Sequence, residues 1–78
     1  MGTKNNPAPY DCYANAEPGE PMFVLLARDV AAPAAVRQWV NLRILRGKNK
    51  LTDPKMQEAL QCAVAMENWR EARKQENR

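Results

Sequence analysis

Arg28 and Asp29 stand side by side at the end of an uninterrupted apolar run, Met22-Phe23-Val24-Leu25-Leu26-Ala27. An arginine grips a phosphate through two parallel N–H donors, and a carboxylate beside it could accept from a base or ribose edge. The same aspartate also suits a helix N-cap, where its carboxylate accepts N–H groups of the first turn. The other side chains with chemical potential are few. Trp39 and Trp69 could stack on a nucleobase or fill a core. Arg37, Arg43, Arg46, Lys48 and Lys50 form a basic series that could meet phosphates or an acidic protein surface. Cys62 has Glu58 one turn before it, and a neighbouring carboxylate raises a thiol pKa, so Cys62 reads as a structural residue rather than a nucleophile.

Much catalytic chemistry lacks its usual groups. The chain has no histidine, the commonest general base and the partner of most nucleophiles. Its three glycines are scattered and form neither a phosphate loop nor a dinucleotide fingerprint. Two cysteines fifty residues apart, Cys12 and Cys62, offer neither a disulfide framework nor a closed zinc shell. The expectation is a non-enzymatic chain without cofactor or metal.

These residues must be positioned by short elements. Met1 to Glu20 holds three of the six prolines and two of the three glycines and reads as an irregular arm, residues 1–20, with Tyr10 and Tyr13 stapling it to the core. Its Met-Gly start lacks the Ser or Thr of a myristoylation signal. The run after Pro21 is too short for periodicity to decide between strand and helix. Its Met, Leu and Ala content, with Val24 as its one β-branched residue and Pro21 at the first position, predicts a helix over about 21–28. Asp29 would cap the next helix, about 31–46. There Val36, Trp39, Val40 and Ile44 make an apolar stripe, Pro33 sits in the first turn and Gly47 closes the end. Thr52 or Asp53 would cap a third helix over about 53–74, with a stripe of Met56, Ala59, Leu60, Ala63, Met66 and Trp69. Glu67–Arg70 and Glu71–Lys74 have the spacing of pairs along that helix, and the tail Lys74-Gln75-Glu76-Asn77-Arg78 is expected to fray. The predicted architecture is all-α: a small three-helix domain, residues 21–75, behind an irregular N-terminal arm. With Trp39 in its core, Trp39→Ala would cost about 3–5 kcal/mol.

Seventy-eight residues make one small domain with a limited core. That leaves tight helix packing or self-association as its source of stability. The longest apolar run, six residues, falls far short of the roughly 20 that span a bilayer. With no signal segment and no disulfide framework, a reducing cytoplasmic setting away from membranes is expected. The net charge of +3 is uneven: residues 1–29 carry two net negatives, residues 30–55 five net positives, and the rest balance. A basic middle of this kind attracts phosphates or acidic proteins. Sequence-specific DNA reading fits less well, because the start of the third helix offers only Lys55 and Gln57 for base edges.

The pattern Tyr13-Ala14-Asn15-Ala16, then Glu20-Pro21-Met22-Phe23-Val24-Leu25-Leu26-Ala27-Arg28-Asp29, then Ala32-Pro33, Val36 and Trp39, resembles a family of small uncharacterised phage and prophage proteins. Lys55, Glu58-Ala59, Cys62-Ala63, Met66 and Trp69-Arg70 extend the likeness to about Tyr10–Arg70. Members often have Asp-Pro at the corner where this chain has Asp29-Val30, and Asp-Glu-Pro where it has Gly19-Glu20-Pro21. The resemblance implies an accessory protein working in the cytoplasm of a host bacterium, and it carries over no catalytic residue. Three roles follow as expectations. The first is stoichiometric binding of a host protein, for example one of a defence system, through the basic segment. The second is an oligomeric sponge for a signalling nucleotide, its pocket built from Arg28, Asp29 and one Trp of adjoining subunits. The third is electrostatic DNA binding.

Overall fold

The computed structural model describes residues 1–76. Its helices are α1 (Cys12–Asn15), α2 (Ala32–Leu45) and α3 (Pro54–Glu76), and no strand is formed among the described residues. The protein is therefore a small all-α domain with an irregular N-terminal region, as its sequence predicts. The first helix lies elsewhere than expected. Residues 21–26 have no helix, turn or bend, and the single helical turn of the N-terminal third is α1, inside the predicted arm. An eight-residue helix cannot recover its nucleation cost without burying a face. Here only Leu25 and Ala27 of Pro21–Ala27 are even half-buried.

The body is the hairpin of α2 and α3. Their boundaries follow local chemistry closely. Pro33 sits in the first turn of α2, where a missing N–H is harmless. Asp29 acts two residues ahead of the actual cap residue, Ala31. Its carboxylate accepts the Ala31 N–H at 2.8 Å and its carbonyl accepts the Ala32 N–H at 3.1 Å. At the other end Gly47 takes φ +70, the left-handed C′ conformation glycine adopts without steric cost, and its N–H bonds to the Ile44 carbonyl at 3.0 Å. Asp53 precedes Pro54 but turns its carboxylate back to the loop instead of forward to the helix. α3 continues through Glu76, two residues past its predicted end, and Asn77 and Arg78 lie outside the described residues.

Val40 of α2 meets Met56 and Ala59 of α3 in the buried cluster, ringed by half-buried Met1, Val36, Ile44 and Leu60. Ala32 and Ala63 are also buried. Short side chains at 59 and 63, one turn apart, let the helices approach closely at the price of little apolar area. Two helices also leave no third layer over the outer edges of their stripes. Trp39 is accordingly 36% exposed and Trp69 45% exposed, and neither is the core residue the periodicity predicts. Each instead lies under cations: Arg43 and Lys55 sit 5.8 Å from the Trp39 ring centre, and Arg73 4.7 Å from that of Trp69. Trp39→Ala should then cost about 1–2 kcal/mol, from partial burial and two surface cation–π contacts, rather than a core-like loss. A urea titration beside wild type measures this directly.

The arm is tied down differently from the tyrosine staple expected. Tyr13 is exposed. The N-terminal ammonium group instead pairs with Asp11 and, at 2.9 Å, with Glu58 of α3. Asp11 also accepts N–H bonds from Gly2 and Ala8. A Cβ at Gly2 would overlap the Asn6 carbonyl oxygen and lie 2.9 Å from the Ala8 nitrogen, so this loop closes only around glycine. Burial opposes the charge on the ammonium, but the two carboxylates outweigh it and raise its pKa above 8.0. Arg37 and Glu67 clamp α2 to α3 through two N–H bonds of 2.9 and 2.7 Å, so Glu67 engages the facing helix rather than Arg70.

Candidate functional site

Arg43, Arg46, Lys48 and Lys50 converge on the tip of the hairpin, where α2 turns into α3. The turn is heavily tied. The Arg43 carbonyl accepts the N–H groups of Lys48 at 3.0 Å and Asn49 at 3.3 Å. The Arg43 guanidinium donates through Nε to Asn49 Oδ1 at 2.7 Å. Asn49 Nδ2 and the Lys50 N–H both reach Asp53 Oδ2 at 3.0 Å, and Gln57 Nε2 donates to the Leu51 carbonyl at 2.7 Å. The Asn49 amide, then the Lys50 N–H, hold the Asp53 carboxyl below its ordinary range.

This network sorts the predicted cations. Arg37 is committed to Glu67, whose carboxyl the guanidinium lowers in turn. Arg43 is committed to Asn49 and lies over Trp39. Arg46, Lys48 and Lys50 are exposed and have no side-chain partner among the described residues. Two leucines flank them: Leu45 is 81% exposed and Leu51 is exposed as well. The tip therefore presents three uncommitted positive charges beside two apolar anchors on a backbone with little freedom. The leucines were not singled out from sequence, although Leu45 falls off the Val36–Val40–Ile44 stripe and so has no core to face.

The Arg28–Asp29 pair separates in function. Asp29 spends its carboxylate on the corner, while Arg28 is exposed at the rim of an apolar groove of about 390 Å³. Lys4, Cys62, Met66 and Trp69 line the same groove, within a single chain. Lys4 belongs to the arm, and no sequence pattern signals its arrival there. Burial pushes the Cys62 thiol up; the N-terminal ammonium opposes this, and Asp11 and Glu58 add to the rise. A thiol held protonated is a poor nucleophile. The two residues considered for base reading are engaged elsewhere, Lys55 over the Trp39 ring and Gln57 on the Leu51 carbonyl.

Asp11, Asp53 and Glu67 all have lowered pKa values, caused first by the N-terminal ammonium, Asn49 and Arg37 respectively. Their contributions are complete above the unfolded carboxylate range, about pH 4, and fade as pH falls through the lower folded values. The raised Met1 ammonium contributes fully below pH 8.0 and loses its contribution as pH rises through its folded value. Denaturation free energy should plateau between about pH 5 and 8 and fall on both sides. Asp53→Asn should flatten the acid limb specifically.

No helix among the described residues is long and apolar enough to cross a membrane. Comparison with family models, curated proteins and solved structures finds no match to this chain.

Proposed function

We propose that the chain is a non-enzymatic binding protein that engages an acidic surface of a host protein through the hairpin tip, and so modulates or inhibits that protein. The observation that carries this reading is the combination at residues 45–51: Arg46, Lys48 and Lys50 unpaired among the described residues, Leu45 and Leu51 exposed, and the turn beneath them fixed by Asn49 and Asp53. Cations supply attraction and orientation at an interface, and apolar side chains that lose their water supply affinity. A preformed turn adds little ordering cost on binding. On the resemblance to small phage proteins, the partner would lie in a bacterial cytoplasm, with a defence protein as the class of target. Native mass spectrometry of tagged protein, purified gently from a bacterial host, tests this. A defined host protein retained in fixed ratio, and released by salt, is the expected result. A chain that repeatedly emerges without any protein partner would overturn the proposal.

A second reading rests on the groove that brings Arg28, Lys4 and Trp69 together. Two cations beside an indole suit an anionic aromatic ligand such as a signalling nucleotide, and about 390 Å³ is within the range of small-molecule sites. The same mass spectrum distinguishes this sponge role, since a bound nucleotide adds a few hundred daltons rather than a second protein.

A further inference from the structure

The segment Glu20–Arg28 is unusual in a helical protein. Met22, Phe23, Val24 and Leu26 are exposed, Phe23 to 83% and Val24 to 60%. Between Met22 and Leu25 no backbone N–H or C=O has a hydrogen-bond partner among the described residues. Leu25 anchors the segment on the body, lining the grooves on both of its sides. From Pro21 to Leu26 the chain runs without turn or bend, apolar and uncharged, and its open backbone groups make it a ready template for another strand.

We infer that this segment pairs antiparallel with the same segment of a second copy of the chain, about a two-fold axis through Val24. Its charges are self-complementary in that register. Glu20 lies four residues before Val24 and Arg28 four after, and the extended stretch ends at the Leu26–Asp29 turn that carries Arg28, so each end of the ladder brings the Glu20 of one copy beside the Arg28 turn of the other. Both side chains are exposed; Arg28 has no partner among the described residues, and Glu20 uses one carboxylate oxygen on the Glu17 N–H. Sliding the register by one residue would set Glu20 against Asp29, and would turn every side chain to the other face. Pro21 has no N–H to give, and it falls outside the Met22–Leu26 and Val24–Val24 pairs that exchange bonds, level with the turn at Ala27. The Leu26 carbonyl already accepts the Asp29 N–H at 3.0 Å and keeps a second lone pair for the ladder.

The surface accounts agree. The chain exposes 6416 Å², roughly 1,600 Å² more than a compact monomer of its mass would. A stable interface takes about 800 Å² from each partner, so a dimer can be built from this excess while the tip remains free. The radius of gyration, 13.6 Å, likewise exceeds the roughly 11.5 Å of a compact domain of this length. None of the tip residues takes part, so the dimer and the tip contact stand or fall separately.

Sedimentation velocity of the full chain over a concentration series tests the pairing. Wild type should sediment as a dimer. Arg28→Glu and Glu20→Arg should each weaken association by roughly tenfold or more, because each substitution opposes like charges twice across the axis. The double exchange Glu20→Arg with Arg28→Glu should restore it. Val24→Pro, which removes the central N–H, should give a monomer whose helical circular dichroism is unchanged. A monomeric wild type, a dimer indifferent to these changes, or a double exchange no better than either single would overturn the inference.

Discussion

Met56→Ala should cost about 2–5 kcal/mol and leave much of the chain unfolded at physiological temperature. Met56 is fully buried and lies at the centre of the contact between Val40 and Ala59. Among the described residues it is one of two large side chains that are completely enclosed. The small residue beside it, Ala59, has no rotamers with which to fill the space it leaves. A domain of this length holds only about 4–12 kcal/mol of total stability, so the loss is a large fraction of the whole. Thermal or urea unfolding followed by circular dichroism measures it. Val64→Ala, on an exposed face of the same helix, should stay within about 0.5 kcal/mol and serves as the control. Equal melting of Met56→Ala and wild type would mean that the helices do not meet through this cluster.

Reversing the three uncommitted cations, Arg46→Glu, Lys48→Glu and Lys50→Glu together, should weaken capture of the partner about 10–100-fold with the fold intact. Most of the loss should fall on the association rate and should shrink as salt rises, the signature of steering by exposed charges. The fold should survive because none of the three side chains is bonded to the body; the turn is held by Arg43, Asn49 and Asp53. Leu45→Asp should instead act on the dissociation rate, if Leu45 is the apolar anchor. Undiminished capture by the triple variant would remove the tip from consideration and move attention to the Arg28 groove.

The all-α architecture and the two main helices were legible because their signals are local. Pro33, Gly47 and Pro54 mark ends, and the stripes through Val40 and Met56 mark the facing surfaces. The first helix was misplaced because six apolar residues have no readable period, and composition then favoured helix over a segment whose backbone stays unpaired. The tryptophans were misjudged for a related reason. A stripe shows which side of a helix is apolar, but whether its margin is covered depends on how many layers the domain has. At the site, the cations were visible as residue types, while their availability was not. Glu67, thirty residues from Arg37, decides that Arg37 is a clamp, and Asn49 decides that Arg43 is a brace. What remained free could be read only after those long-range partners were in place.

The unequal lengths of the helices have a consequence for hydrogen exchange. α2 spans about 21 Å and α3 about 34 Å, so α3 runs on well past the start of its neighbour. The Arg37–Glu67 clamp secures it near the start of α2, and Glu71–Lys74 beyond it are exposed. The amides of those last turns are protected only by the helix's own bonds, and a free stretch that short opens readily in water. They should exchange orders of magnitude faster than the amides around Met56 and Ala59, whose exchange waits for the whole hairpin to come apart. One helix thus holds two clocks, with Glu67 at the boundary between them.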